Sequence, residues 1–143
     1  MIDLMEGELD MWFEWPPSLN NYYSHTQYGV HISKKGKQYR EAVCRDVRIQ
    51  VGSKVLPEKS LDVIVVLFAP DKRKRDLDNH CKALLDALMS AEILPDDSWI
   101  DRLEIIRGVV SPKASGVFVR FNPGWGYERE GDRGLKRELL EEM

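Results

Sequence analysis

At 143 residues the chain can build one domain with a real core but not two. Its apolar and charged fractions, 43% and 31%, are ordinary for a globular protein, and its longest apolar run, Val63 to Ala69, is far too short to span a membrane. A net charge of −3 argues against a nucleic-acid partner only until it is divided along the chain.

Residues 1–10 hold four acids and no base, and residues 128–143 hold six acids and four bases, which leaves 14 acids and 17 bases in 11–127, a net of +3. The body is mildly basic between acidic ends. The opening MIDLMEGELD lacks the cationic and apolar regions of a secretory signal. Cys44 and Cys81 show neither metal-ligand spacing nor a disulfide framework. A cytoplasmic protein is expected, with both cysteines as small core residues.

Leu9, Met11, Phe13 and Trp15 alternate with Asp10, Trp12 and Glu14, which predicts a strand with one buried face. Pro16-Pro17 ends it and opens an extended loop with Asn20, Asn21, Tyr22, Tyr23, His25 and Tyr28. Those side chains can bond phosphate and stack on bases, or they can pack the loop over the sheet. Ser33 is placed to cap a helix running to about Gly52, with Tyr39, Ala42, Val43, Val47 and Val51 as its apolar stripe. Its other face carries Lys34, Lys35, Lys37, Arg40, Arg45 and Arg48, either a solvated face or one that tracks a phosphate backbone. Leu61 to Phe68 is nearly continuous in apolar residues and predicts a central strand covered on both faces.

The segment Asp71 to Trp99 concentrates the chemistry. Four cations, Lys72, Arg73, Lys74 and Arg75, precede Asp76-Leu77-Asp78-Asn79. A helical pattern follows, with Cys81, Leu84, Leu85, Leu88 and Met89 on one face, then the acidic pair Asp96-Asp97. Helical spacing sets Asp78, Lys82 and Asp86 in one row beside that stripe. Magnesium-type cations take oxygen ligands, one or two carboxylates and waters. Such ions promote phosphodiester cleavage, and nearby cations offset the developing charge. The blander reading makes Asp76 or Asp78 a helix cap, Asp96-Asp97 a turn and the basic run a solvated loop. The combination in one short segment favours the catalytic reading.

Ile100 to Val110 and Val117 to Phe121 predict two further strands, the second with Val117, Val119 and Phe121 inward. The expected fold is α+β: a two-layer domain over residues 1–123, with both helices on one face of a mixed β-sheet. Residues 124–143 read as a charged C-terminal helix or tail, with a thin stripe of Leu135, Leu139 and Leu140.

The ordered set Arg73-Lys74-Arg75, Asp76-Leu77-Asp78-Asn79, Lys82 and Asp96-Asp97 resembles the RusA family of Holliday-junction resolvases. The phrase from Trp15 to Tyr23, Trp-Pro-Pro-Ser-Leu-Asn-Asn-Tyr-Tyr, is similar to that family's opening, and the likeness spans roughly residues 9 to 121. The resemblance implies a small homodimeric subunit that cuts four-way DNA junctions by paired symmetric nicks, with a dinucleotide preference, in recombination and repair. It implies magnesium, with manganese as a possible substitute, held by Asp76, Asp78 and Asp97, and a required lysine at Lys82. Lys72, Arg73, Lys74, Arg75, Asn79, Asn21, Tyr22 and Tyr23 are the expected DNA contacts. Neither a membrane nor a small-molecule cofactor is implied. Asp86 also matches the pattern and can pair with Lys82 one turn away. Leu85 departs from it, standing where a known member has an aromatic residue. Two other readings use the same residues: a non-catalytic module that holds branched DNA, and an interaction protein using its acidic turn and tail.

Overall fold

The computed structural model describes residues 7–124. The expected tail at 124–143 thus lies, beyond Gly124, outside the described residues. Strands β1 (Leu9–Phe13), β4 (Leu61–Phe68), β5 (Ile100–Arg107) and β6 (Gly116–Pro123) form one sheet in the order β1-β6-β4-β5. β4 pairs parallel with β5 and antiparallel with β6, and β1 pairs antiparallel with β6. The sheet is therefore mixed, as expected. Its inner face carries Met11, Phe13, Leu61, Val63, Val65, Leu67, Val117, Val119 and Phe121, all buried. Helices α2 (Lys34–Val51) and α3 (Cys81–Ser90) close over that face, and their stripes join the same core. Burying each such large apolar side chain contributes about 1.5–3 kcal/mol.

β4 is interior, but only one of its faces is fully covered. Ile64, Val66 and Phe68 on the opposite face remain partly accessible, and Trp12 beside them is 42% exposed. No helix among the described residues is long and apolar enough to cross a membrane.

The largest departure from the expected fold lies between Pro17 and Ser33. The predicted loop is instead a helical turn, α1 (Leu19–Tyr22), followed by an antiparallel hairpin of β2 (Tyr23–Thr26) and β3 (Gly29–Ile32). Most hairpin side chains face solvent, so no buried face imposes the alternation that would have marked its strands. The hairpin returns to α2 through Ser33. Its backbone N–H donates to Tyr22 O at 2.9 Å, and its hydroxyl caps the helix by accepting from Gly36 N at 3.0 Å. Gly52, at φ +73°, ends α2 in a conformation suited to glycine.

Gly36 sits where α2 presses on α1. A Cβ there would lie 2.5 Å from the Tyr22 carbonyl oxygen and 2.8 Å from Ile32 Cγ2. In an exposed helix, glycine to alanine gains up to about 1 kcal/mol. Here the sign reverses: Gly36→Ala is expected to lose about 1–3 kcal/mol in urea unfolding through overpacking. A variant as stable as the parent would show that α1 does not hold this close approach.

Candidate active site

Beyond Phe68 the chain passes Pro70 into the basic run, and Asp71 folds that run back on itself. Its carboxylate accepts from Arg73 N at 3.0 Å, Arg73 Nη2 at 3.0 Å and Arg75 Nη2 at 2.8 Å. The Arg73 backbone bond, then its side chain, lowers the Asp71 pKa to about 2. Arg75 is only 15% exposed at its side chain. Its guanidinium lies 5.5 Å from the Trp15 ring centre, and its carbonyl accepts from Arg107 at 2.9 Å. Arg75 is thus built into a wall, whereas Lys72, Arg73 and Lys74 face solvent.

A 3-10 turn, Leu77–Asn79, separates this run from α3, so Asp78 precedes the helix rather than riding on it. The expected row of Asp78, Lys82 and Asp86 is therefore broken. Asp76 occupies the capping position of the turn, yet its side chain makes no capping bond. Asp76 and Asp78 are exposed, and neither carboxylate has a hydrogen-bond or ion-pair partner among the described residues. His80 fills the N-cap of α3 instead. Its Nδ1 lies 2.8 Å from the Pro16 carbonyl, which can only accept, so Nδ1 carries the proton. Burial, reinforced by the charge of Arg75, lowers the His80 pKa against the raising effect of that bond. Burial, then the charge of Asp78, pushes the Cys81 thiol up to about 11, so it is no nucleophile.

Lys82, the second residue of α3, meets Asp97 at 3.6 Å. Asp97 starts a second 3-10 turn, Asp97–Trp99, and Asp96 at its cap accepts the Ser98 hydroxyl. The structure thus brings Lys82 onto one expected metal ligand. It does not draw the acids together: no three His, Cys, Asp or Glu side chains among the described residues stand close enough to share an ion. The donor chemistry of Asp76, Asp78 and Asp97 nevertheless suits a hard, oxygen-preferring cation.

Two assignments need correction. Tyr22 is fully buried and cannot stack on a base. Its hydroxyl donates to Asp86 and accepts from Arg40 Nε at 2.7 Å. Asp86 also takes Arg40 Nη2 at 2.6 Å, so its bonded partners are Arg40 and Tyr22, and Lys82 one turn away acts on it only as a further nearby charge. Burial opposes ionisation of Asp86, but those bonds outweigh it and hold its pKa below the ordinary value. Burial and the Asp86 bond drive the Tyr22 pKa well up. Tyr23 meets the Tyr22 ring edge-on at 4.8 Å between centres and is only partly accessible.

Asn21 and Asn79 do face an open cleft of about 540 Å³. Its lining also includes Trp15 and Pro16, Lys35 and Gln38 of α2, and Arg73 to Arg75. Trp15, Gln38 and His80 carried no functional expectation from sequence. Trp15 read as core by its alternation, and nothing in the sequence brings Gln38 to the same cleft as the basic run.

Fold and site together describe a small α+β domain presenting acids beside a basic cleft. The family model described as endodeoxyribonuclease RusA matches residues 14–121, and the chain belongs to that family. It is 40% identical over 98 residues to the crossover junction endodeoxyribonuclease of Enterobacteria phage HK97, covering 68% of this chain and 81% of that protein. It is 35% identical over 96 residues to the enzyme of that name from Escherichia coli K12, covering 65% and 77%. Against the one from Enterobacteria phage 82, identity is 36% over the same length.

The Asp86 network yields a pH-dependent test. Because its folded pKa lies below its unfolded one, the stability it contributes is fully present above the ordinary carboxylate range. That contribution is lost as pH falls through the folded value. Asp86→Asn is expected to lose about 1.5–3 kcal/mol at neutral pH, the scale of hydrogen bonds to charged groups. The gap to the parent should narrow in acid, and a gap independent of pH in urea titrations would contradict the assignment.

Proposed function

We propose that this chain is a crossover junction endodeoxyribonuclease that resolves four-way DNA by paired hydrolytic nicks, in the recombination and repair of a bacterial or phage-infected cell's cytoplasm. The observation that carries this reading is the pair Asp76 and Asp78. Both are exposed beside a basic run, and neither is spent on a cap or ion pair among the described residues. Carboxylates so placed repel phosphate unless a cation neutralises them, which weighs against a purely DNA-holding module. They would serve a protein-binding surface equally well, but that reading leaves the adjoining cleft and its cations without a role.

Asp76, Asp78 and Asp97, which the structure does not draw together, would hold magnesium, or manganese in its place, once gathered around the ion. The bound cation would polarise the phosphoryl group and make water more acidic. The chain's own residues supply the rest. Lys72, Arg73 and Lys74 fix the phosphate backbone, a contribution that weakens steeply with salt. Lys82 neutralises Asp97 in the structure described; freed from that pairing, its ammonium can stabilise charge developing on the phosphate.

Cutting should therefore require magnesium, stop with a chelator, and prefer a four-way junction over duplex or single strand. Asp78→Asn and Asp97→Asn are expected to abolish nicking while leaving gel-shift affinity for the junction intact. Lys82→Ala should slow cutting about 10²–10³-fold, by analogy with loss of one oxyanion donor, with a far smaller loss of affinity. Near-parental cutting by either aspartate variant would remove that residue from the metal site. Equal losses of rate and affinity would make Lys82 a simple backbone contact.

Two opposed nicks on a two-fold substrate are met most simply by a two-fold dimer, so a homodimer belongs to the same proposal. The backbone edge of β1 is closed by Gln50, whose carboxamide bonds Trp12 N and O, each at 2.8 Å. At the sheet's other edge no described strand pairs with the outer side of β5, where Leu103 and Ile106 are 41% and 40% exposed. Strand pairing between two copies would bury such an edge. Sedimentation under cutting conditions is expected to give a dimer, and Leu103→Glu to weaken it. A monomer that still resolves junctions would exclude this arrangement.

A further inference from the structure

The cleft beside the acids has a composition that backbone binding alone does not explain. Lys35, Arg73 and Lys74 in its lining can hold phosphate, but the lining also includes the indole of Trp15 and two carboxamide residues, Gln38 and Asn79, beside Glu14, its single acid among the described residues. Carboxamides pair with base edges through a donor and an acceptor held side by side. An indole wall suits the face of a base. A volume of about 540 Å³ lies within the range of small-ligand sites, which run to roughly 300–1,000 Å³.

The walls are also fixed. His80 ties the Trp15-Pro16 segment to the start of α3 through the Pro16 carbonyl, and its ring packs 4.8 Å from that of Trp15. Asn79 directly follows Asp78, so the mouth of the cleft opens one residue from a carboxylate of the proposed catalytic set.

Resting on the nuclease reading above, we propose that this cleft receives one unstacked nucleotide of the DNA strand, next to the phosphate to be cut. Its base lies against Trp15, its edge is read by Gln38 and Asn79, and its phosphodiester is held by Lys35 and Arg73. Taking a base out of a continuous duplex costs stacking and pairing, whereas a base beside a crossover has less to lose. The cleft thereby favours branched DNA over plain duplex. It also gives the chain a means of preferring one base beside the cut.

The test uses four-way junctions carrying a single abasic residue at successive positions around the crossover. Such a residue keeps sugar and phosphate and deletes only the base. With the parent protein and magnesium, one position is expected to slow cutting roughly tenfold, the scale of one base–aromatic stack. Trp15→Ala should slow cutting of the intact junction to a similar extent and show no further loss on that abasic junction. Gln38→Ala, a change on the exposed surface of α2, should show the same non-additivity and guards against a Trp15 variant that fails to fold.

If both variants fold and the losses multiply, the base is not in this cleft. An abasic residue harmless at every position would mean that the cleft holds phosphate only. A parent protein that neither shifts nor cuts junctions overturns the nuclease reading itself, a result distinct from lost non-additivity in an active enzyme.

Discussion

The Arg40–Asp86–Tyr22 cluster ties together three helices that the sheet alone would not orient. Tyr22 ends α1, Arg40 lies in α2 and Asp86 in α3, and each touches the other two. The charges are partly buried, so their attraction is less screened than at an open surface, and each lone partner would be costly to leave unpaired. With α1 held against both long helices, the segment from Trp15 to Ser18 faces the start of α2 across the cleft. The site's two walls are consequences of that contact. They come from separate stretches of the chain, 15–18 and the start of α2, yet one charged cluster fixes their spacing.

Around this frame two sets of acids contrast. Asp71, Asp86 and Asp10 are spent on arginines, in the turn, the helix cluster and the sheet edge. Asp76 and Asp78 are not, although Arg73 and Arg75 stand only a few residues away. Asp71 takes up both guanidiniums and so keeps them from collapsing onto the two acids that follow. A block of cations flanked by acids would otherwise satisfy itself. The intervening 3-10 turn contributes as well, since an α-helix begun at Asp76 would have used one of these carboxylates as a cap.

Much of the frame was legible because its signals are periodic. The alternation at 9–15 and the stripe of α2 each report a buried face, and burial imposed them. The continuous run at 61–68 marked the interior strand but overstated its cover, since Ile64, Val66 and Phe68 stay partly accessible. The hairpin at 23–32 has no such face, so its sequence reads as a loop. The acids were legible as a set, but their division of labour was not. Asp86 is indistinguishable from Asp78 by spacing, and its actual partner lies 46 residues away on another helix. Tyr22 and Tyr23 are adjacent tyrosines in one motif, yet one is buried and the other partly accessible. Only the packing of α1 separates them.

Trp15 shows the same limit from the other side. Its place in the alternating strand assigns it to the core, and it does pack against the core's edge. The strand ends at Phe13, however, two residues before the indole, which meets Arg75 and His80. A large aromatic ring at the end of a strand has one side for the core and one for whatever lies beyond. Beyond it here are the basic run and the first turns of α2. Here the tryptophan ring meets a cation and a histidine ring, packs on the core's edge and also lines the cleft. Packing and recognition make the same demand at this position, which is why its sequence pattern disclosed only the first.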